Sequence, residues 1–233
     1  MGGVVALSFE NAAIHMDDFR LTASWRVEAG ERVAIIGPSG AGKSTLLMAL
    51  AGFVPLASGR ILWDGTDLTR LPVADRPVAM LFQDQNLFPH LTVAQNLGLG
   101  LSSRLRLNAD QQARVTDVLH RVGLEGMGAR KPAQLSGGQQ GRAALARALL
   151  QARPVLAVDE PFSALGPRLR ADMLDLMDSV AKGITVLMVT HDPADARRLA
   201  SRTVVVTDGV AHSPAPTTVL LDDPPPMLRD YLG

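Results

Sequence analysis

The chain has 233 residues, of which 47% are hydrophobic, so it is long enough to bury a sizeable core and too apolar to be disordered. Its 23 basic and 23 acidic residues cancel to a formal net charge of zero, which gives no electrostatic signal for a nucleic-acid partner. The absence of cysteine excludes disulfides, thiolate metal sites and cysteine nucleophiles. No apolar run is long enough to span a bilayer and the N-terminus lacks a secretory pattern, so we expect any membrane association to come through a partner.

The first part of the chain is predicted to form strands. Residues 4–9 and 25–28 have the composition of strands and are separated by a polar turn at Asp17-Asp18. Residues 33–36 form a short apolar run, as expected of a buried parallel strand. Residues 60–63 form another strand that ends in Asp64-Gly65, which is typical of a tight hairpin turn. The apolar run at residues 78–82 predicts a strand that is covered on both faces.

A glycine-rich loop follows the apolar run at residues 33–36. Its sequence fits G-x-x-x-x-G-K-[ST] and reads Gly37-Pro38-Ser39-Gly40-Ala41-Gly42-Lys43-Ser44-Thr45. Residues 46–51 are helix formers, and Gly52 is placed to end that helix. In this context the backbone N–H groups and the helix N-terminus face a polyphosphate. Lys43 is expected to reach the β- and γ-phosphates and Ser44 to bind Mg²⁺, so the sequence predicts a nucleoside triphosphate site.

Strand-like runs disappear between about residues 84 and 135. Asn108 is placed to cap a helix that carries Val115, Val118, Leu119 and Val122. We therefore expect a helical subdomain that is inserted into the α/β core of a single domain spanning residues 1–233. Residues 139–151 are also predicted to be helical, and Pro154 ends that helix.

The last third of the chain alternates strands with helices. Strands are predicted at residues 155–158 and 184–189, a helix begins at Pro167, and Asp192-Pro193 opens another. Residues 203–212 predict a terminal hairpin, and the proline-rich tail is loop-like with one short helix. We therefore predict an α/β fold: a P-loop NTPase core with a mostly parallel sheet, an N-terminal antiparallel β subdomain and an inserted helical subdomain. Gly37, Gln83, Asp159 and His191 stand at carboxyl ends of strands, where such sheets bind ligands.

Two adjacent carboxylates, Asp159 and Glu160, follow the strand at residues 155–158. Side chains alternate along a strand, so these two carboxylates are expected to point in different directions and to have different roles in the reaction. Asp159 is expected to hold Mg²⁺ through water, and Glu160 to polarise the attacking water. An Asp-Glu pair at a strand end is by itself more often a solvated terminus, but its place downstream of the phosphate loop favours the catalytic interpretation.

A second phosphate-binding helix N-terminus is predicted at Leu135-Ser136-Gly137-Gly138-Gln139. Together with the phosphate loop, this motif resembles the ATP-binding cassette (ABC) family, and the resemblance extends as far as His191. It implies a head-to-tail homodimer that sandwiches two ATP molecules, each between one protomer's phosphate loop and the other's residues Ser136, Gly137, Gly138 and Gln139. It also implies that Gln83 links the Mg²⁺ ion and the attacking water to the helical subdomain, and that His191 contacts the γ-phosphate.

Three positions depart from the family pattern. Gly166 stands where the family usually has an aspartate that joins the two sites across the dimer, which bears on inter-site coupling more than on ATP binding. Gly141 replaces a polar residue inside the helix that follows Ser136. The aromatic residue that normally stacks on adenine has no clear counterpart, and the candidates are His15, Met16 and Phe19, of which Phe19 could equally belong to the core.

The resemblance also implies partners. The subunit would dock on an integral membrane permease at the cytoplasmic face of the bacterial inner membrane, and the permease would receive its cargo from a periplasmic solute-binding protein. Leu87, Phe88 and His90 either line the docking groove or pack as an ordinary loop. Residues 76–101 are most similar to those of thiamine importers, and importers of iron, sulfate or polyamines share much of this segment.

Other classes of protein fit the motifs less well. A soluble phosphate-loop kinase or GTPase does not need Ser136-Gly137-Gly138. A DNA-repair or chromosome-structural member needs a long coiled coil, a translation-factor type usually has two cassettes, and a switch that does not hydrolyse ATP would lack Glu160. A soluble ABC ATPase outside transport remains a less favoured alternative. We therefore expect ATP hydrolysis that is coupled to solute import.

Overall fold

The computed structural model of this protein describes residues 5–84, 86–226 and 228–229. These residues form two compact units. Unit 1 consists of the described residues up to Val78, of Pro154–Glu160 and of the described residues from Gly183 onwards, whereas unit 2 consists of Ala79–Arg153 and Pro161–Lys182. The prediction that one domain carries a helical insert at about residues 84–135 stays a prediction.

The described strands are β1 (Val5–Met16), β2 (Phe19–Glu28), β3 (Arg32–Ile36), β4 (Ser58–Trp63), β5 (Thr66–Asp67), β6 (Val78–Leu81), β7 (Val155–Asp159), β8 (Thr185–Val189), β9 (Arg202–Thr207), β10 (Val210–Ala211) and β11 (Ala215–Pro216). The described α-helices are α1 (Lys43–Ala51), α2 (Val93–Gly98), α3 (Ala109–Arg121), α4 (Gly137–Leu150), α5 (Pro167–Val180), α6 (Pro193–Leu199) and α7 (Thr217–Asp222). Short 3₁₀ turns lie at Val73–Asp75 and Pro132–Gln134.

The antiparallel part of the sheet in unit 1 is formed by β5, β4, β1 and β2 in that order. The predicted turn at Asp17-Asp18 joins β1 to β2, with Met16 opposite Phe19, and Asp64-Gly65 joins β4 to β5. Both β1 and β2 are longer than predicted, because strand pairing overrides the weak strand propensity of residues such as Ala12 and Ser24. Position 4, where the first predicted strand begins, lies outside the described residues.

The parallel part of the sheet has the order β9-β3-β8-β7. Its strands are buried along nearly their whole length, and β3, β7 and β8 are mostly apolar, as expected when both faces are covered. The short strand β10 pairs antiparallel with β9 and parallel with β2, so it joins this part to the antiparallel strands. The predicted α/β fold with a mostly parallel sheet is thereby confirmed.

The helix α1 follows the glycine-rich loop and ends where predicted, at Gly52, which adopts a left-handed conformation (φ 91°). A distant residue completes this end: Arg76 is only 4% exposed, and its guanidinium donates to the carbonyl oxygens of Ala49 (2.7 Å) and Leu50 (2.8 Å). A cation at a helix C-terminus also interacts favourably with the helix dipole. Arg76 therefore fixes the position of α1 from its C-terminal end.

Unit 2 is built around α2, α3, α4 and α5. The first three surround a buried apolar core, whose members include Val93, Leu97, Val115, Leu119, Val122, Ala143 and Ala146. Asn108 caps α3 and Pro167 begins α5, as predicted. The helix α4 starts at Gly137, two residues earlier than predicted, and runs unbroken through the buried Gly141. Among the described residues, no helix is both long and apolar enough to cross a lipid bilayer.

Candidate nucleotide site

The glycine-rich loop at residues 37–45 connects β3 to the first turn of α1. Gly42 precedes α1 in a left-handed conformation (φ 99°), which side-chain-bearing residues rarely adopt. A Cβ atom at this position would also overlap the ring of Phe19. The loop conformation therefore depends on a glycine at position 42, both for the backbone and for the close approach of β2.

The amino group of Lys43 lies beneath this loop. The residue is 7% exposed, and its Nζ donates to the carbonyl oxygens of Gly37 (2.8 Å) and Pro38 (2.9 Å). Burial lowers the pKa of Lys43, and the nearby carboxylates of Glu160 and Asp159 oppose this effect. The loop, its lysine and both carboxylates thus belong to one electrostatic cluster within unit 1.

Ser44 and Asp159 come together although they are far apart in the sequence. The Ser44 hydroxyl donates to Oδ1 of Asp159 at 2.8 Å. Burial raises the pKa of Asp159, the hydrogen bond from Ser44 opposes this shift, and the charge of Glu160 adds to it. A hydroxyl and a carboxylate oxygen are ligands that suit Mg²⁺. The donor set at this point therefore fits a magnesium ion.

Glu160 has a different partner from Asp159. Its Oε2 lies 3.2 Å from Nδ1 of His191, whose side chain is 54% exposed. The backbone of Glu160 has φ 44°, a left-handed conformation that is uncommon for a residue with a side chain. Such conformations persist where the surrounding structure imposes them, and they cluster at functional sites.

A buried threonine supports the turn that carries His191. Thr190 is 4% exposed; its hydroxyl donates to Oδ2 of Asp195 (2.9 Å) and accepts from the backbone N–H of Asp192 (3.1 Å). Asp192 in turn caps α6 by accepting from Ala194 N–H at 2.8 Å, as predicted. The sequence did not lead us to predict this supporting role of Thr190. The signal for it was a hydroxyl residue at the end of an otherwise apolar strand.

A hollow of about 350 Å³ lies beside the phosphate loop. Met16, Asp17 and Phe19 line it together with loop residues and Glu160. Two of the three candidates for the adenine contact thus lie in this hollow, whereas His15 is not among the described residues that line it. Asp17 was not expected here, although its place in the β1–β2 turn was predicted.

The remaining predicted site residues lie in unit 2. Gln83 is exposed, and its Nε2 lies 3.5 Å from the hydroxyl of Ser163. Ser136 and Gln139 form a capping box: the Ser136 hydroxyl accepts from Gln139 N–H (3.3 Å), and Gln139 Oε1 accepts from Ser136 N–H (2.9 Å). The structure therefore gathers Lys43, Ser44, Asp159, Glu160 and His191 in unit 1, and it places Gln83 and residues 136–139 in unit 2.

The residues predicted to meet a permease differ in their surroundings. Phe88 is 47% exposed, and its ring lies edge-on to that of His90 with centroids 6.0 Å apart. Leu87 instead packs against the apolar core of unit 2. Their role in docking stays a prediction, and Leu87 has the packing of an ordinary loop residue.

Comparison with known proteins found one matching family, described as ABC transporter, at residues 21–163. The thiamine import ATP-binding protein ThiQ of Cereibacter sphaeroides is 61% identical over 97% of this chain and 99% of its own length. The proteins of the same name from Ruegeria sp. and Escherichia coli K12 are 55% and 54% identical, over 97% and 80% of this chain and 99% and 81% of their own lengths. A solved dimeric, post-hydrolysis structure of the ATP-binding cassette MJ0796 with bound ADP and Pi has a TM-score of 0.75 and 30% identity, covering 91% of this chain and 98% of its own.

Proposed function

This chain belongs to the ABC transporter family, and on that premise we propose that it is the ATP-hydrolysing subunit of a bacterial thiamine importer. The observation that carries the choice of cargo is its 61% identity, over 97% of the chain, to a protein named as a thiamine import ATP-binding protein. Further relatives of the same name are 47% to 55% identical. They favour thiamine over iron, sulfate or polyamines, whose importers share parts of the same sequence pattern.

The reaction proposed for unit 1 is the attack of water on the γ-phosphate of ATP, which yields ADP and phosphate. The loop at residues 37–45 would bind the phosphates, with the amino group of Lys43 turned from Gly37 and Pro38 towards the β- and γ-phosphates. Ser44, Asp159 and Gln83 would hold Mg²⁺, which supplies positive charge against these phosphates when it is bound. Glu160 would polarise the attacking water, and its contact with His191 would orient its carboxylate.

A homodimer is proposed because the chain carries a second phosphate-binding device at the start of α4. The capping box uses the amides of Ser136 and Gln139, so the amides of Gly137 and Gly138 are the donors that a γ-phosphate of the partner's ATP would take. The dimeric structure of the related ATP-binding cassette supports this arrangement. Each nucleotide would then lie between the phosphate loop of one protomer and the α4 start of the other.

The partners proposed for the dimer are the permease subunits of the importer. The exposed Phe88 and His90 would contact the permease, which would keep the chain at the cytoplasmic face of the inner membrane as a peripheral subunit. A periplasmic thiamine-binding protein would deliver the cargo from the other side. The names of the relatives as importer subunits support this placement.

Uptake of labelled thiamine tests the function. Cells that lack this chain should lose uptake, wild-type chain should restore it, and chain with Glu160→Gln should not. Parallel assays with labelled iron, sulfate and a polyamine test the other cargoes. Equal thiamine uptake in all strains, without a second carrier, would contradict the thiamine assignment, and restoration of a different cargo would replace it.

A further inference from the structure

The segment at residues 86–92, here called the 86–92 loop, follows Gln83 and leads into α2. The buried side chain of Asn96 on α2 binds this loop at four points. Oδ1 of Asn96 accepts from Phe88 N–H (2.7 Å), and Nδ2 donates to the carbonyl oxygens of Phe88 (3.1 Å), Leu91 (3.3 Å) and Thr92 (3.0 Å). Asn96 is 0% exposed, so releasing the loop would leave a buried amide unsatisfied. The loop that presents Phe88 is therefore fixed to α2.

A second side chain ties the same loop to α4. Nη1 of Arg147 donates to the carbonyl oxygen of Asn86 at 2.7 Å. At the same place the backbone of α4 is packed tightly, because a Cβ atom on Gly100 would lie only 2.5 Å from the carbonyl oxygen of Arg147. Arg147 therefore stands where α4, the segment after α2 and the 86–92 loop meet.

The helix α4 connects this junction to the proposed phosphate-binding residues. It runs without a break from Gly137 to Leu150, and its first turn is fixed by the Ser136–Gln139 capping box. At 1.5 Å per residue, Arg147 lies about 15 Å along the axis from Gly137. Because the helix is unbroken, we expect a displacement at Arg147 to reach the start of α4.

We propose that Arg147 is a positioning residue that couples the 86–92 loop to the start of α4, so that contact of a permease with Phe88 places Gly137 and Gly138 for the partner's ATP. This inference rests on the proposed function, since it requires both the permease and the dimer. The residue acts through Asn86 and the helix, and it touches neither nucleotide nor water itself. Arginine suits the task because its planar, permanently charged guanidinium holds a fixed donor direction at the end of a long stem.

The test uses variants that separate the donor from the bulk of the side chain. Arg147→Met keeps an unbranched apolar stem and removes the donor, whereas Arg147→Lys keeps a cationic donor. The matched control is Arg114→Met, because Arg114 on α3 donates to the carbonyl oxygen of Leu150 (3.4 Å) at the same end of α4 without holding the 86–92 loop. Each variant is measured as the isolated full chain and as the membrane complex that is purified with this chain as the tagged subunit.

In the membrane complex, Arg147→Met is expected to lower ATP turnover about tenfold, a loss typical of coupling between two sites. Arg147→Lys should recover part of this turnover, and Arg114→Met should stay close to wild type. In the isolated chain, Arg147→Met should speed hydrogen exchange of the Asn86 amide about tenfold, because the loop opens locally at the end that Asn96 does not hold, and the affinity for ATP should not change.

Wild-type turnover of Arg147→Met in the complex, or unchanged exchange of the Asn86 amide, would overturn the proposal. The proposal would also be overturned if Arg147→Met lost both ATP affinity and thermal stability, since that result would assign Arg147 a general structural role. A wild-type complex whose turnover does not respond to its permease would instead contradict the proposed function. Even then, the amide hydrogen-exchange rates of the isolated chain would show whether Arg147 holds the 86–92 loop.

Discussion

At the scale of single residues, the two carboxylates at the end of β7 show how neighbours acquire different surroundings. Asp159 accepts a hydrogen bond from Ser44, whereas Glu160 turns to His191. The backbone of Glu160 has φ 44°, a conformation that costs energy and is maintained by the surrounding structure. Under the proposed function, Asp159 is thereby placed for metal binding, and Glu160 is placed to act on water.

Glu160→Gln tests this division of roles. The amide has the shape of the carboxylate and can still contact His191, but it cannot accept a proton from water. We expect turnover to fall by about 10² to 10⁴, the usual contribution of a general base. Calorimetry should show retained ATP affinity, and sedimentation should show a dimer trapped with ATP.

Two controls accompany this measurement. Glu125→Gln changes an exposed carboxylate of unit 2 and should leave turnover unaltered. Lys43→Ala removes the amino group beneath the loop and should weaken ATP binding itself. Near-normal turnover of Glu160→Gln would refute the role assigned to the carboxylate.

At the scale of secondary-structure elements, the start of α4 depends on its neighbour α5. A Cβ atom on Gly138 would lie 2.8 Å from Cδ2 of Leu169, so the leucine side chain lies against the glycine. The helix α5 itself begins after Gly166, a residue that has no side chain to cap the first turn. The contact between Gly138 and Leu169 and the uncapped start of α5 at Gly166 can each be changed by mutations outside the phosphate loop.

Gly138→Ala and Leu169→Ala are predicted to be coupled in their effects on stability. The added methyl group would meet the Cδ atoms of Leu169, the flexible end of a side chain that is 37% exposed, so the crowding should cost less than the roughly 1–3 kcal/mol of overpacking in a closed core. Removing the leucine side chain relieves this contact, so the double variant should be more stable than additivity predicts by about 0.5 kcal/mol. Denaturant unfolding of the single and double variants measures the difference.

Gly137→Ala provides the control for this cycle. Its Cβ atom would lie 3.6 Å from Cδ2 of Leu165, an ordinary contact distance, so its effect should add to that of Leu169→Ala. Additive behaviour of Gly138→Ala and Leu169→Ala would show that the leucine does not support the start of α4.

Gly166→Asp is predicted to strengthen α5. The backbone at Gly166 has φ −62° and ψ 158°, which aspartate adopts readily, and no described atom beyond its chain neighbours lies within 4 Å of the position that a Cβ atom would take. An aspartate in this position would cap the first turn, and it should raise stability by a few tenths of a kcal/mol over glycine, or about 1 °C in Tm. Thermal unfolding measures this gain.

The same variant tests communication between the two proposed sites. The family resemblance implies that an aspartate in this position joins the sites, so the Hill coefficient for ATP should rise in Gly166→Asp. Gly166→Ala offers no acceptor and should lower the Tm while leaving the Hill coefficient unchanged. If the Hill coefficient does not differ between the aspartate and alanine variants, position 166 does not contribute to coupling between the two ATP sites.

At the scale of the whole molecule, the proposed chemistry is divided between the two units. The phosphate loop and both carboxylates belong to unit 1, whereas the capped start of α4 belongs to unit 2. The formal net charge is zero, so two copies can associate without strong long-range repulsion. A closed, symmetric dimer uses both devices twice.

The turnover per chain is therefore predicted to rise with protein concentration and then to level off. Sedimentation in Mg²⁺ and ATP should show the dimer forming over the same range of concentrations. The control is Ser136→Arg, which leaves the phosphate loop intact and places a bulky side chain at the start of α4; it should bind ATP without this rise. A monomer whose turnover per chain is constant at all concentrations would contradict the dimer.

Features that depend on neighbouring residues were predictable from the sequence. The Asp64-Gly65 hairpin, the caps at Asn108 and Asp192 and the start of α5 at Pro167 follow from interactions within a few residues of each other. The phosphate loop belongs to the same class, because its glycines, lysine and hydroxyl are consecutive in the chain. The fold class and the identity of the nucleotide-binding motifs therefore follow from local sequence patterns.

The distant side chains that support those motifs depend on how the strands and helices pack. Phe19 lies against Gly42, Arg76 caps α1, and Arg147 holds Asn86. The two residues of each contact are far apart in the chain, so neither a local motif nor a periodic pattern predicts it. Each contact forms only when the strands and helices pack. The extent of β1 and β2 has the same origin, because cross-strand pairing determines it and the propensities of single residues do not.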